Sequence, residues 1–226
     1  MIRAVTVDAL GTLVFMRPPG PSLREELRRV GVEVSEREAA AAFAAEIRYY
    51  LAHHVEGSDR ESLAALRDRC AGVLREALGL EGLELPLVRR AMLAALRFEP
   101  FPDAAPALSE LRSRGLRLVV ASNWDCSLPT VLERVGLGPL LDGVMSSGVA
   151  GATKPAAALF RAALELAGAE PGEALHVGDS LDNDVAGALA LGMDAVLIAR
   201  GDARAPAARV PVIDSLAGLP PLVLDR

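Results

Sequence analysis

From residue 98 onward the chain alternates short apolar runs with amphipathic stretches of helical period, and this alternation restricts the possible folds more than any other feature. The runs fall at 116–121, 143–146, 174–177 and 195–199, with a short one at 212–213, and helical stretches lie near 103–114, 127–135, 155–168 and 184–191. Strands that alternate with helices specify right-handed crossovers and a parallel sheet covered on both faces. One more apolar run, Val5-Thr6-Val7, opens the chain and is cut off by Asp8-Ala9-Leu10-Gly11-Thr12, which reads as a buried strand and a glycine-containing turn. It is expected to join the same sheet, giving an α/β fold with a Rossmann-like, doubly wound parallel core.

The stretch between is of another kind. From Pro18-Pro19-Gly20-Pro21 the sequence turns to long Ala/Leu/Arg/Glu segments. Ser22 is placed to cap a helix ending near Gly31, and Ser35 with Glu38 forms a capping box ahead of a helix toward His53-His54. Ser58 with Glu61 makes a second box before a helix that stops at Gly79, and Pro86 suits the first turn of a fourth helix ending near Arg97. The expected organisation is therefore an α/β core from 1–15 and 98–226, with an all-helical insertion at 16–97.

Composition excludes several classes of function. A chain of 226 residues, 51% hydrophobic and 24% charged, is neither a disordered tail nor a small disulfide scaffold. Its formal charge of −6 argues against nucleic acid or an anionic membrane as partner, but not against a small anionic substrate. The longest all-apolar run, 39–45, is far short of a membrane span, and Met1-Ile2-Arg3-Ala4 lacks an apolar signal region. Cys70 and Cys126 have no metal-type spacing and read as core or bystander thiols. A soluble cytoplasmic protein is expected.

In open α/β sheets, ligands bind beyond the carboxyl ends of the strands, so the residues that follow each apolar run matter most. They are Asp8, then Ser122-Asn123, then Thr153-Lys154-Pro155, then Gly178-Asp179 with Asp184 shortly after. Each has a bland reading: a lone Asp caps a turn, and the acidic run favours the start of the next helix. Together they bring a nucleophilic carboxylate, a hydroxyl, a cation and further carboxylates to one crevice. Three acids in six residues at 179–184 repel one another unless a cation sits among them, and hard oxygen ligands suit Mg²⁺. Lys154 is conspicuous, because 23 of the 24 cationic side chains are Arg and it is the single Lys. A compact ammonium serves a phosphate or carboxylate site in a way that a planar guanidinium does not.

With these motifs in order, Asp8-Ala9-Leu10-Gly11-Thr12-Leu13, Ser122-Asn123, Lys154-Pro155 and Gly178-Asp179 with Asp184, the chain resembles the haloacid dehalogenase (HAD) superfamily of hydrolases, its insertion corresponding to a helical cap. The resemblance implies that Asp8 attacks phosphorus to form an aspartyl-phosphate. It further implies that Thr12 orients the first loop, that the Ser122 hydroxyl and Asn123 backbone amide hold phosphate oxygens, and that Lys154 neutralises charge beside Asp8. Mg²⁺ would be held by Asp8, the Leu10 carbonyl and Asp179, with Asp184 in support.

At Leu10 the chain departs from that pattern, because the family's phosphatases usually place there a second Asp that protonates the leaving group and activates water. General acid–base help is worth about 10²–10⁴ in rate. His53, His54, Glu56, Tyr49 and Tyr50 are candidate replacement donors from the cap, whereas His176 reads as core. The leading expectation is a Mg²⁺-dependent phosphatase acting on a small phosphate ester. A 2-haloacid dehalogenase, which needs no leaving-group acid, is the second, and a phosphate-ligand binding protein with negligible turnover the third. Arg17 and Arg24 are placed to meet an anionic substrate, and both a monomer and a homodimer fit the sequence.

Overall fold

A computed structural model describes residues 1–201 and 209–224, so 202–208 and 225–226 of the expected core lie outside the described residues. β1 (Ala4–Val7) is fully buried, and β2 (Val14–Met16) follows the first turn. Four helices come next: α1 (Pro19–Arg29), α2 (Glu36–His53), α3 (Arg60–Ala77) and α4 (Leu85–Ala95). β3 (Phe98–Pro100) leads into α5 (Ala104–Ser113), β4 (Arg117–Ser122), α6 (Leu128–Arg134), β5 (Gly143–Ser146), α7 (Ser147–Ala150) and α8 (Ala157–Ala167). The chain continues through β6 (Ala174–Gly178), α9 (Ala186–Leu191), β7 (Asp194–Ile198), β8 (Val212–Ile213) and α10 (Leu219–Leu224).

Six strands form one sheet in the order β5-β4-β1-β6-β7-β8, with every neighbouring pair parallel. The expected doubly wound α/β core is thus present. β1 lies between β4 and β6, where the winding reverses direction, so its carboxyl end opens on the crevice that such sheets use for ligands. Period-two alternation sends Val5, Val7, Val120 and Val177 to a face covered by α5, α6 and α10. Ala4, Val119, Ala121 and Ala174 face the other way, against α8 and α9.

α1–α4 pack around a core of their own, built from Leu23, Leu27, Phe43, Leu66, Leu74 and Met92. The chain enters and leaves these helices through an antiparallel ribbon, β2 against β3, in which Phe15 pairs with Glu99. Arg17 and Glu99 close the ribbon with an exposed ion pair at 2.5 Å.

Two expected helix starts move. α1 begins at Pro19 with Pro18 as its cap residue, and Ser22 lies inside the helix: a proline ring already holds the φ that the first turn needs. Before α3 the cap is Asp59, not Ser58, its carboxylate accepting from the Glu61 and Ser62 amides at 3.0 and 2.9 Å. An ionised acceptor at a helix N-terminus gains from the macrodipole as well as the bonds, so Asp59 with Ser62 prevails over Ser58 with Glu61. The box of Ser35 and Glu38 forms as expected. Among the described residues no helix is long and apolar enough to cross a membrane.

Candidate active site

Parallel register aligns the carboxyl ends of the central strands. Val7 lies opposite both Val120 and Val177, and the Asp8 amide donates to the Val177 carbonyl at 2.9 Å. The residues that follow each strand therefore emerge side by side, and Asp8, Ser122, Lys154, Asp179 and Asp184 come together from four separate segments of sequence.

Ser122 Oγ donates to Asp8 Oδ1 at 2.9 Å. Lys154 Nζ lies 2.5 Å from Asp8 Oδ1 and 2.5 Å from Asp184 Oδ1, and its side chain is only 2% exposed. Burial works to strip its charge, but the two carboxylates outweigh burial and keep it cationic, its pKa above the ordinary lysine value. For Asp8, burial raises the carboxyl above its usual range, the Lys154 ammonium opposes that, and the Asp184 charge adds to it.

Asp184 takes three donors. His176 Nε2 meets Oδ1 at 3.0 Å beside Lys154, and the Ser180 amide reaches Oδ2 at 2.9 Å. Burial acts to raise Asp184, but the bonds from His176 and Lys154 hold it well below the usual carboxylate range. A single turn of π-helix, Leu181–Val185, turns this side chain back toward the sheet, and Ser180 Oγ caps it by accepting from the Asn183 amide. Gly178 is the only residue type that fits beneath, because a Cβ there would fall on the Asp184 carboxyl.

His176, expected as plain core, is fully buried but also bonded at both ring nitrogens. Donation from Nε2 to Asp184 leaves Nδ1 to accept from Thr6 Oγ1 at 2.8 Å, across the register pair Thr6 and His176 of β1 and β6.

Carboxylate oxygens of Asp8, Asp179 and Asp184 all lie within 4.8 Å of one another. Asp179 is the member open to solvent. The crevice walls still remove part of its hydration, and with Asp8 and Asp184 beside it the carboxyl is pushed up to about 6. Gly11 has a positive φ of 84°, and a Cβ on it would fall on Asp179 Oδ2, so the turn that carries Leu10 runs directly against this carboxylate. Crowded hard oxygens with excess negative charge suit a divalent cation.

The other expected residues have different surroundings. Asn123 uses its side chain on Lys154: Oδ1 accepts from the Lys154 amide at 2.7 Å and Nδ2 donates to its carbonyl at 3.2 Å. Thr12 is buried, and its Oγ1 has no partner among the described residues. The Thr12 carbonyl accepts from Arg200 Nη2 at 2.7 Å, while Arg200 grips Asp103 with two bonds of 3.0 Å. Leu10 is 42% exposed and faces a cavity of about 930 Å³ between the helical unit and the core.

Of the five expected replacement donors, only Tyr50 lines that cavity. His53 stacks on Tyr49 at 4.1 Å, Glu56 pairs with Arg69, and His54 bonds the Leu51 carbonyl. Tyr50 donates to Asp125 Oδ2 at 2.9 Å and, with Cys126 N–H on the Gly57 carbonyl at 2.8 Å, ties the helical unit to the loop after β4. Glu46, absent from the expected set, also lines the cavity, and burial pushes its carboxyl up. Arg17 is held in the ribbon, and Arg24 is exposed on α1.

A family model for haloacid dehalogenase-like hydrolases matches residues 2–192. The chain belongs to this family. Among relatives of the HAD-like hydrolase described above is the human (Homo sapiens) haloacid dehalogenase-like hydrolase domain-containing protein 3, 32% identical over 97% of this chain and 93% of the human one. The match to its Bos taurus counterpart, 42% identical, spans only 47% of this chain and 42% of that protein. Glyceraldehyde 3-phosphate phosphatase of Methanopyrus kandleri is 30% identical over 89% of this chain and 85% of its own length. In structure the chain is similar to L-2-haloacid dehalogenase of Xanthobacter autotrophicus with chloropropionic acid covalently bound, at TM-score 0.69 and 25% identity over 99% and 98% of the two chains.

Proposed function

We propose that this hydrolase is a Mg²⁺-dependent phosphomonoesterase that works through an aspartyl-phosphate on Asp8. One observation carries the reading: three Asp carboxylates with oxygens within 4.8 Å of one another, and the single Lys bonded to two of them, Asp8 and Asp184, at the carboxyl end of the central strands. Displacement of halide from carbon has no use for two further carboxylates beside the nucleophile, whereas phosphoryl transfer is largely positioning and charge neutralisation. The similarity to a glyceraldehyde 3-phosphate phosphatase points the same way.

Asp8 and Asp179, with the Leu10 carbonyl in the turn against them, would hold Mg²⁺, which when bound supplies positive charge to the phosphoryl oxygens. Asp184, whose oxygens already take Lys154, His176 and Ser180, holds the ammonium in place. Asp8 attacks phosphorus and the bond to the leaving oxygen breaks. Ser122 Oγ and the Asn123 amide accompany the phosphoryl group, Lys154 balances its charge, and Thr12 fixes the first loop. Water then attacks phosphorus, freeing phosphate and restoring the Asp8 carboxylate. The four helices act as a cap, inserted at 16–97, that closes the crevice from water.

Mg²⁺-dependent phosphate release from an aryl phosphate, lost in Asp8→Asn, is the expected result; undiminished activity in that variant removes the nucleophile. Leu10 favours the dehalogenase as a second reading. Chloride release from a 2-chloro acid without added metal, in the absence of any phosphatase activity, would establish it instead.

A further inference from the structure

Two features of the cavity in front of Leu10 are unexplained by a small polar substrate. The first is its lining. Leu10, Leu51, Met92, Leu93, Leu96 and Trp124 all border a space of about 930 Å³, a volume that accommodates far more than a triose. Leu10 and Leu51 are large apolar side chains left 42% and 58% exposed, both on this wall, where apolar surface gains only if something apolar covers it. The cavity joins the catalytic crevice directly, since Leu10 and Asn123 belong to both.

The second feature is chemical. Leu10 stands two residues after Asp8 and has no proton to give. The Tyr50 hydroxyl is committed to Asp125, whose carboxylate and burial both push the phenol pKa up. An alkanol leaving group, comparable to water at about 15.7, needs a proton as it departs, whereas a phenol, about 10, leaves readily as its anion.

We propose that the substrate is an aryl phosphate: a phosphomonoester whose leaving group is a phenolic oxygen on a ring that packs against Leu10 and Leu51. This rests on the phosphatase reading above. Asp8 attacks phosphorus, the P–O(aryl) bond breaks with its electron pair going to the aryloxide, and the aryloxide takes a proton from water outside the crevice. Water then attacks the phosphorus of the aspartyl-phosphate, the P–O(Asp8) bond breaks, and the proton passes to solvent.

The test compares kcat/KM with Mg²⁺ on 2-naphthyl phosphate, acetyl phosphate and glycerol phosphate. Acetyl phosphate has a good leaving group without a ring, and glycerol phosphate has neither. The naphthyl ester is expected to exceed glycerol phosphate by at least about 10², the lower bound of what a missing acid withholds. Leu51→Ser should lower the ratio of naphthyl phosphate to acetyl phosphate turnover about tenfold. Leu10→Asp should raise turnover of glycerol phosphate while lowering that of the naphthyl ester.

Glycerol phosphate as the preferred substrate, or a naphthyl-to-acetyl ratio indifferent to Leu51→Ser, overturns the inference but leaves the phosphatase. A wild-type rate insensitive to the leaving group that becomes sensitive in Glu46→Gln makes Glu46 the proton donor and overturns it too. Failure on all three compounds, acetyl phosphate included, instead removes the phosphatase reading itself.

Discussion

Replacing Lys154 by Met removes one charge and leaves two buried carboxylates without their counter-ion, each keeping only its other donors. The ammonium is 2% exposed and touches Asp8 Oδ1 and Asp184 Oδ1 at 2.5 Å each, while those side chains are themselves only 8% and 2% exposed. Neither carboxylate can turn to water, and an apolar methionine stem satisfies neither. Breaking a buried pair in this way costs about 3–5 kcal/mol, a large share of the roughly 5–15 kcal/mol that holds a domain together. At roughly 2–4 °C per kcal/mol for a chain of this size, the unfolding midpoint should fall by about 6–20 °C. The assay is thermal unfolding by circular dichroism at pH 7 in chelator, with the Asp8→Asn/Lys154→Met double variant alongside. Removing one of these buried charges should return a substantial part of the loss, giving a favourable coupling between the two sites. Without Lys154 the buried Asp8 carboxyl is raised further above its unfolded value. A group raised in the folded state stabilises at low pH and loses that contribution as pH climbs through its folded value, so the variant's deficit should shrink on acidification. A midpoint lowered by less than about 2 °C, or strictly additive single and double variants, would refute the buried three-way contact.

Other outcomes follow from the same geometry. Asp103→Ala should cost about 2 kcal/mol at pH 7, because its carboxylate accepts from Arg200 twice, from Ser215 Oγ and from the Leu216 amide. Burial works to raise Asp103, but those donors hold its carboxyl below its ordinary value. The contribution is therefore present above the unfolded value, about 3.9, and lost as pH falls through the lower folded one, so the wild-type and variant midpoints should converge in acid. Mg²⁺ at a hundred times its dissociation constant should add about 2.7 kcal/mol of stability by calorimetry, an increment that Asp179→Asn abolishes. His176→Leu should weaken Mg²⁺ binding by about 10–100-fold in titration calorimetry, because a donor that fixes Asp184, and through it Lys154, is gone.

How much of this could be read beforehand depended on whether the signal was local. The apolar runs of the sheet are separated by helical stretches, so all five strands expected after residue 98 form, with ends shifted by a residue at most. β2 and β3 escaped notice because each is only three residues long and one ends in proline; they form because the chain must leave and rejoin the core at a single place. Asp8, Lys154, Asp179 and Asp184 were legible because strand ends converge in any parallel sheet. His176 was not, since an inward-facing strand residue looks the same whether it packs or bonds, and only the register opposite Thr6 reveals its partners. Nor could the sequence say that Asn123 grips Lys154 by its side chain, a contact spanning 31 residues. Glu46 was hidden for a related reason: an acid in a helical Ala/Leu pattern reads as solvated, and only the packing of α2 against α3 buries it.

The phosphoryl-enzyme itself is the decisive species. Trypsin does not cut before proline, so cleavage after Arg3 and Arg24 releases peptide 4–24, in which Asp8 is the single acidic side chain. Acid-quenching the enzyme during turnover of an aryl phosphate with Mg²⁺ and weighing this peptide by mass spectrometry should show one added phosphoryl group, absent in Asp8→Asn. Steady Mg²⁺-dependent turnover by Asp8→Asn, or a phosphoryl group that persists on the peptide in that variant, would contradict covalent catalysis by Asp8.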